Sequence, residues 1–138
     1  LPSTLPISLN KIIHGLPKRP NRKIILLSEL DFPSIGFVAE QATRRGYELR
    51  FIKKSDDVAN VDVWKNALDN DVQLVLATHV LSNTGQQLPI EKIAESAREH
   101  RAYSVIDIAQ SAGVVPLDFQ QLKSDFVIGS CVDRKSVV

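Results

Sequence analysis

The chain has 138 residues, 43% hydrophobic and 24% charged, and its 17 basic and 16 acidic side chains leave a net charge of +1. That length and balance describe one globular domain of ordinary composition. They exclude disorder across the middle and any large field of one sign that would gather nucleic acid or anionic lipid.

A single cysteine, Cys131, precludes an intrachain disulfide framework, so a reducing, cytoplasmic setting is expected. No apolar run approaches the ~20 residues of a membrane helix. Leu1-Pro2-Ser3-Thr4-Leu5-Pro6 lacks the basic-then-apolar order of a signal peptide. Neither a membrane nor a nucleic-acid partner is expected. The chain has no methionine, even at position 1, which reads as a piece whose true start lies upstream.

Residues 1–22, with Pro2, Pro6, Pro17 and Pro20, read as an irregular lead-in in which Leu9, Ile12 and Ile13 support a helical turn or two. Lys18, Arg19, Arg22 and Lys23 cluster at its end and read as a solvated approach to a strand. Ile24-Ile25-Leu26-Leu27 is a continuous apolar run that suits a strand buried on both faces of a parallel sheet. A helix is predicted from Pro33, because Ile35, Val38, Ala39 and Ala42 recur at helical spacing, with Gly46 as its C-cap.

Leu49 to Ile52 reads as a second strand, and Asn60 as the cap of a helix burying Val61, Trp64 and Leu68. Val72 to Ala77 is another buried run. Pro89 opens a helix with Ile90, Ile93, Ala94 and Ala97 on its apolar face, and Tyr103 to Ile106 and Asp125 to Ile128 supply two more strands. The alternation implies right-handed crossovers and an α/β fold: a mainly parallel open sheet with flanking helices.

In such sheets ligands collect beyond the carboxyl ends of the strands. The apolar runs end in polar residues: Ser28-Glu29, Thr78-His79, Asp107 with Gln110 and Ser111 close behind, and Ser130-Cys131. No phosphate loop, dinucleotide turn or nucleophile elbow is present. His14, His79, His100 and Cys131 are too scattered for a zinc set, and Cys131 reads as a small buried residue at a strand end.

The strongest local signal is Asp107-Ile108-Ala109-Gln110-Ser111-Ala112-Gly113, which follows an apolar strand and precedes Pro116-Leu117-Asp118. An aspartate leaving a buried strand is costly to ionise unless a positive or hydrogen-bonding group meets it. Asp107 is therefore either a ligand's partner or a carboxylate that fixes its own loop, and the residues alone leave both open.

At this motif the chain resembles the class V aminotransferases, including kynureninases and cysteine desulfurases, whose cofactor domain carries D-x-A-[QH]-S-x-G, then P-x-D and D-F. The later pieces match Pro116 to Asp118 and Asp125-Phe126. Thr78-His79-Val80 with Thr84-Gly85 is similar to the family's [ST]-H-V-x-x-x-T-G segment. Ser28-Glu29 with Phe32-Pro33-Ser34 is similar to the S-E-x-x-x-F-P-[ST] of kynureninases. The likeness spans roughly residues 24 to 132.

The resemblance implies that residues 23–132 are part of the large domain of a fold type I transferase dependent on pyridoxal 5'-phosphate. Asp107 would pair with the cofactor's pyridine nitrogen and Gln110 with its ring hydroxyl. Thr78 and His79 would lie close to the cofactor, and Phe32, Pro33 and Ser34 would line its pocket. The full parent would act on an amino acid, by transamination or side-chain cleavage, and would form a homodimer.

Three departures qualify the likeness. Kynureninases place aspartate where this chain has Ile35, and cysteine desulfurases place asparagine where it has Ser82. The family's Schiff-base lysine aligns with Asp133, and Lys135 is displaced from it by two positions. Residues 133–138 have no family counterpart and read as an atypical tail, a frameshift or truncation scar. The chain alone is thus expected to be inactive. The rival reading is a non-catalytic relative or truncated product that keeps the fold as a partner surface.

Overall fold

The computed structural model describes residues 4–81, 84–112 and 115–129, with side chains at all of these except 4–7, 32–35, 37 and 39. Within them the elements run α1 (Thr4–Gly15), β1 (Ile24–Ser28), α2 (Phe32–Thr43), β2 (Glu48–Ile52), α3 (Val61–Ala67) and β3 (Val72–Thr78). After these come α4 (Ile90–Glu99), β4 (Tyr103–Asp107), α5 (Phe119–Leu122) and β5 (Phe126–Ile128).

A strand with no polar face is stable only where both faces are covered. Ile25, Leu26 and Leu27 of β1 and every residue of β3 from Val72 to Ala77 are accordingly buried. The strands form one five-stranded sheet in the order β2-β1-β3-β4-β5, and each neighbouring pair is parallel. Alternate side chains enter opposite layers. Leu26, Val75, Ala77 and Ile106 pack with Trp64 of α3 and Ile90, Ile93, Ala94 and Ala97 of α4. Ile25, Leu27, Leu74, Leu76 and Val105 pack with Leu9 and Ile13 of α1 and Val38 and Ala42 of α2.

The lead-in is not irregular. Residues 4–15 are helical, because Leu9 and Ile13, joined by Leu16 just beyond, stack at i, i+4 and i+7 and find a core to enter. The prolines do not oppose this: Pro6 lies in the first turn, where a missing N–H costs nothing, and Pro17 and Pro20 lie past the end.

Arg19 and Arg22 are also more than a solvated patch. Arg19 donates to the buried Gln73 side chain at 2.6 Å and to Arg101 O at 2.8 Å, and lies 4.7 Å from the Tyr103 ring centroid. Arg22 donates to Val72 O and His100 O. Both tie the lead-in to the start of β3 and the turn after α4.

α3 is capped as its sequence predicts: Asn60 Oδ1 accepts the Asp62 N–H at 3.0 Å, and the buried Trp64 donates Nε1–H to Val58 O at 2.9 Å. α2 stops at Thr43, short of Gly46, which turns the chain toward β2 at a φ of +94°. The sequence reading did not include α5. Asp118 caps it, accepting from Gln120 N and Gln121 N.

Candidate functional site

Because all strands run parallel, the ends of β1, β3 and β4 bring Ser28, Thr78 and Asp107 to one edge of the sheet. Thr78 and Asp107 are register partners across β3 and β4. The chain leaves β1 to build β2 on one side and then returns to place β3 on the other. The switch in direction therefore falls between β1 and β3, where the loops diverge and ligands collect in open α/β sheets.

Asp107 is pinned by main chain on both sides. His79 N donates to Asp107 O at 2.8 Å, and Ile108 N donates to Ile128 O at 2.8 Å. The residue is 8% exposed, and Oδ1 accepts the Ala109 N–H at 2.8 Å. Burial pushes the carboxyl above its usual range, and the Ala109 N–H only partly offsets this. The other oxygen accepts no hydrogen bond from a described residue. A carboxylate in this condition suits a compact cation, such as a protonated ring nitrogen, supplied from outside the described residues.

Asp31, which the sequence reading passed over, belongs to the same edge. It follows the tight turn in which Ser28 Oγ accepts Leu30 N–H and Ser28 O accepts Asp31 N–H. Its Oδ1 accepts the Thr78 hydroxyl at 2.6 Å, which bridges the β1/β3 switch point. Burial, with a smaller push from the Asp107 charge, raises its carboxyl from 3.8 to about 6 despite the Thr78 bond. Just ahead of a proline-containing helix start, this acid looks like an ordinary N-cap. Nothing in the local spacing reveals a partner 47 residues away.

His79 is buried, and its ring is engaged: Nδ1 lies 2.8 Å from Ser111 Oγ, and Gln87 Nε2 approaches Nε2 at 3.4 Å. If Gln87 donates, the ring is neutral with its proton on Nδ1, and the lowering of its basicity by burial agrees. His79 thus ties the end of β3 to the loop after β4. Gln110 stands exposed on that loop. Phe32 and Ser34 fall in the first turn of α2, but their side chains lie outside the described residues, as do Ser130, Cys131, Asp133 and Lys135.

Among the described residues no group of three or more His, Cys, Asp or Glu could hold a metal. No described helix is long and apolar enough to cross a membrane. A cleft lined by His14, Lys18, Arg19, Arg22, Lys23 and Arg45 opens at the opposite edge, where the strands begin, and Arg19 and Arg22 direct their hydrogen bonds away from its lining, to Gln73, Arg101, Val72 and His100.

A family model described as aminotransferase class-V matches residues 3–131. The chain is 30% identical over 115 residues to a kynureninase of Pseudomonas fluorescens, covering 81% of this chain and 26% of that enzyme. It is 30% identical over 134 residues to a kynureninase of Burkholderia mallei (strain SAVP1), covering 91% and 31%.

Among solved structures, a C-DES variant with glycine covalently linked to its PLP cofactor superposes with a TM-score of 0.81 at 28% identity, covering 94% of this chain and 35% of that one. The cystine C-S lyase C-DES in complex with its reaction product, cysteine persulfide, gives 0.77 at 30% identity, covering 88% and 34%. The chain thus spans between a quarter and about a third of the length of these relatives.

Proposed function

Since the chain belongs to the aminotransferase class-V family, we propose that it is part of the cofactor domain of a pyridoxal 5'-phosphate enzyme acting on an amino acid. Asp107 carries this reading: it is a buried acid at the carboxyl edge of a parallel sheet, with one oxygen held by Ala109 N–H and its burial uncompensated by any described cation. When bound, the cofactor supplies a pyridinium ring that withdraws electrons from the carbon losing a bond.

The chain's own residues do the rest. Asp107 holds the proton on the ring nitrogen, and the backbone bonds from His79 N and Ile108 N keep its strand end in place. The His79–Ser111 bond fixes the loop that carries Gln110, which is assigned to the ring hydroxyl. Thr78 borders the ring site, and Phe32 and Ser34 line it. The parent reaction is transamination or kynureninase-like side-chain cleavage, carried out by a cytoplasmic homodimer. The chain by itself is inactive, because the Schiff-base position holds Asp133. That same residue favours a second reading, a non-catalytic relative that keeps the fold as a partner surface.

The test is equilibrium binding of pyridoxamine 5'-phosphate, which needs no lysine, to the chain and to Asp107→Asn. We expect saturable binding that weakens about tenfold or more in the variant, the scale of removing one charge-assisted hydrogen bond from a buried site. Equal affinity for both forms would make Asp107 a structural loop anchor.

A further inference from the structure

An aspartate at a helix N-cap ordinarily turns its side chain back to an N–H of the first turn. Asp31 occupies that position in α2 and makes no such bond. Its Oδ1 faces Thr78, while Oδ2 is buried with no hydrogen-bond partner among the described residues. The residue is 6% exposed. A bare carboxylate oxygen inside a protein costs free energy, so its retention points to a donor or cation that arrives from elsewhere.

Thr78 sits opposite Asp107 in the sheet register, which brings Asp31 and Asp107 to the same strand ends, and the Asp107 charge acts on Asp31. The other groups at this edge do not neutralise the pair. His79 is engaged with Ser111 and Gln87. Glu29, itself acidic, is exposed and accepts the Lys54 N–H. Among the described residues, no lysine or arginine forms an ion pair with either acid.

We propose that Asp31 is a second carboxylate of the Asp107 pocket, held in place by Thr78, so that the switch point presents two acids to one cationic ring. The inference rests on the reading of a pyridine ring at Asp107. Asp31 acts as a positioning residue: its charge favours the protonated ring over the neutral one, and its grip on Thr78 fixes the spacing of the two acids. Two like charges that share a site titrate as a pair, and a single cation between them relieves both.

The pairing is tested without ligand, by following the aspartate 13Cγ shifts of the chain through a pH titration. We expect the Asp31 midpoint to fall in Asp107→Asn because a neighbouring negative charge has gone. An Asp31 midpoint that Asp107→Asn leaves unmoved would overturn the pair. Should that variant fail to fold, Asp107→Ser is titrated in its place, a fall supporting the pair and an unmoved midpoint overturning it.

The consequence for the ligand is read from the affinity for pyridoxamine 5'-phosphate relative to its carbocyclic analogue, which lacks the ring nitrogen. Asp31→Asn is expected to cut this preference about threefold or more, and Asp31→Glu to restore part of it. An unchanged preference in Asp31→Asn would overturn the electrostatic role. Absence of pyridoxamine 5'-phosphate binding in every form, wild type included, with the fall of the Asp31 midpoint in Asp107→Asn still seen, would overturn the pyridoxal reading and leave the acid pair standing.

Discussion

A carboxyl group whose folded pKa lies above its unfolded value works against the fold once it ionises. Asp31 rises from 3.8 to about 6 on folding. Well below pH 3.8 it is protonated in both states and costs nothing. As pH climbs through about 6 the penalty becomes complete, at most about 3 kcal/mol. Asparagine cannot ionise and keeps an oxygen for Thr78, so Asp31→Asn should gain about 1 to 3 kcal/mol of stability at pH 7.5 and only about 0.5 kcal/mol at pH 4. Denaturant melts at the two pH values check this; a loss of stability at pH 7.5 would mean that the ionised carboxylate is already satisfied in the fold. Thr78→Val removes the hydroxyl that favours the ionised form and should move the Asp31 midpoint up, whereas Thr78→Ser should not.

At the same scale, the place of Asp107 at the end of a buried strand was legible from the apolar run before it, while its part as ligand partner or loop anchor was left open. Asp31 was not legible, since an acid before Phe32-Pro33 is what any helix start would carry. His79 was legible as a polar residue just past the end of β3, but its engagement with Ser111 depends on the β3–β4 register, which no local pattern encodes.

Elements with their own periodicity were readable. The buried runs of β1 and β3 and the apolar stripe of α4 match the pattern closely, since a strand covered on both faces or a helix covered on one permits few alternatives. α1 was underestimated because its prolines outweighed a short apolar stripe that becomes decisive only when a core is there to receive it. Leu9 is 2% exposed, and Leu9→Ala should cost about 2 to 4 kcal/mol in a urea melt. A cost near zero would return residues 1–22 to a loose lead-in. Asn60→Ala removes the acceptor for Asp62 N–H and should cost about 1 kcal/mol. α5 escaped notice because four residues carry no period.

On the scale of the whole molecule, alternation of strand and helix conveyed the class of fold, but the order β2-β1-β3-β4-β5 is set by which helices cover which face, a long-range matter. That order puts the switch point between β1 and β3 and so decides which loops share a pocket. The same scale governs the chain's capacity for covalent chemistry. With Asp133 at the family's lysine position, as proposed above, treatment with pyridoxal 5'-phosphate and borohydride should give sparse labelling spread over many lysines by mass spectrometry. Stoichiometric labelling of Lys135, abolished in Asp107→Asn, would contradict this.

Whether the acid at the end of β4 holds a protonated ring is read most directly from the 15N shift of pyridoxamine 5'-phosphate labelled at the ring nitrogen. The measurement is made at a pH where the free ligand's ring is neutral. Bound to the wild-type chain, the nitrogen should show a pyridinium shift, and bound to Asp107→Asn a neutral one. A neutral shift on the wild-type chain, or a pyridinium shift that survives Asp107→Asn, would contradict the role given to Asp107.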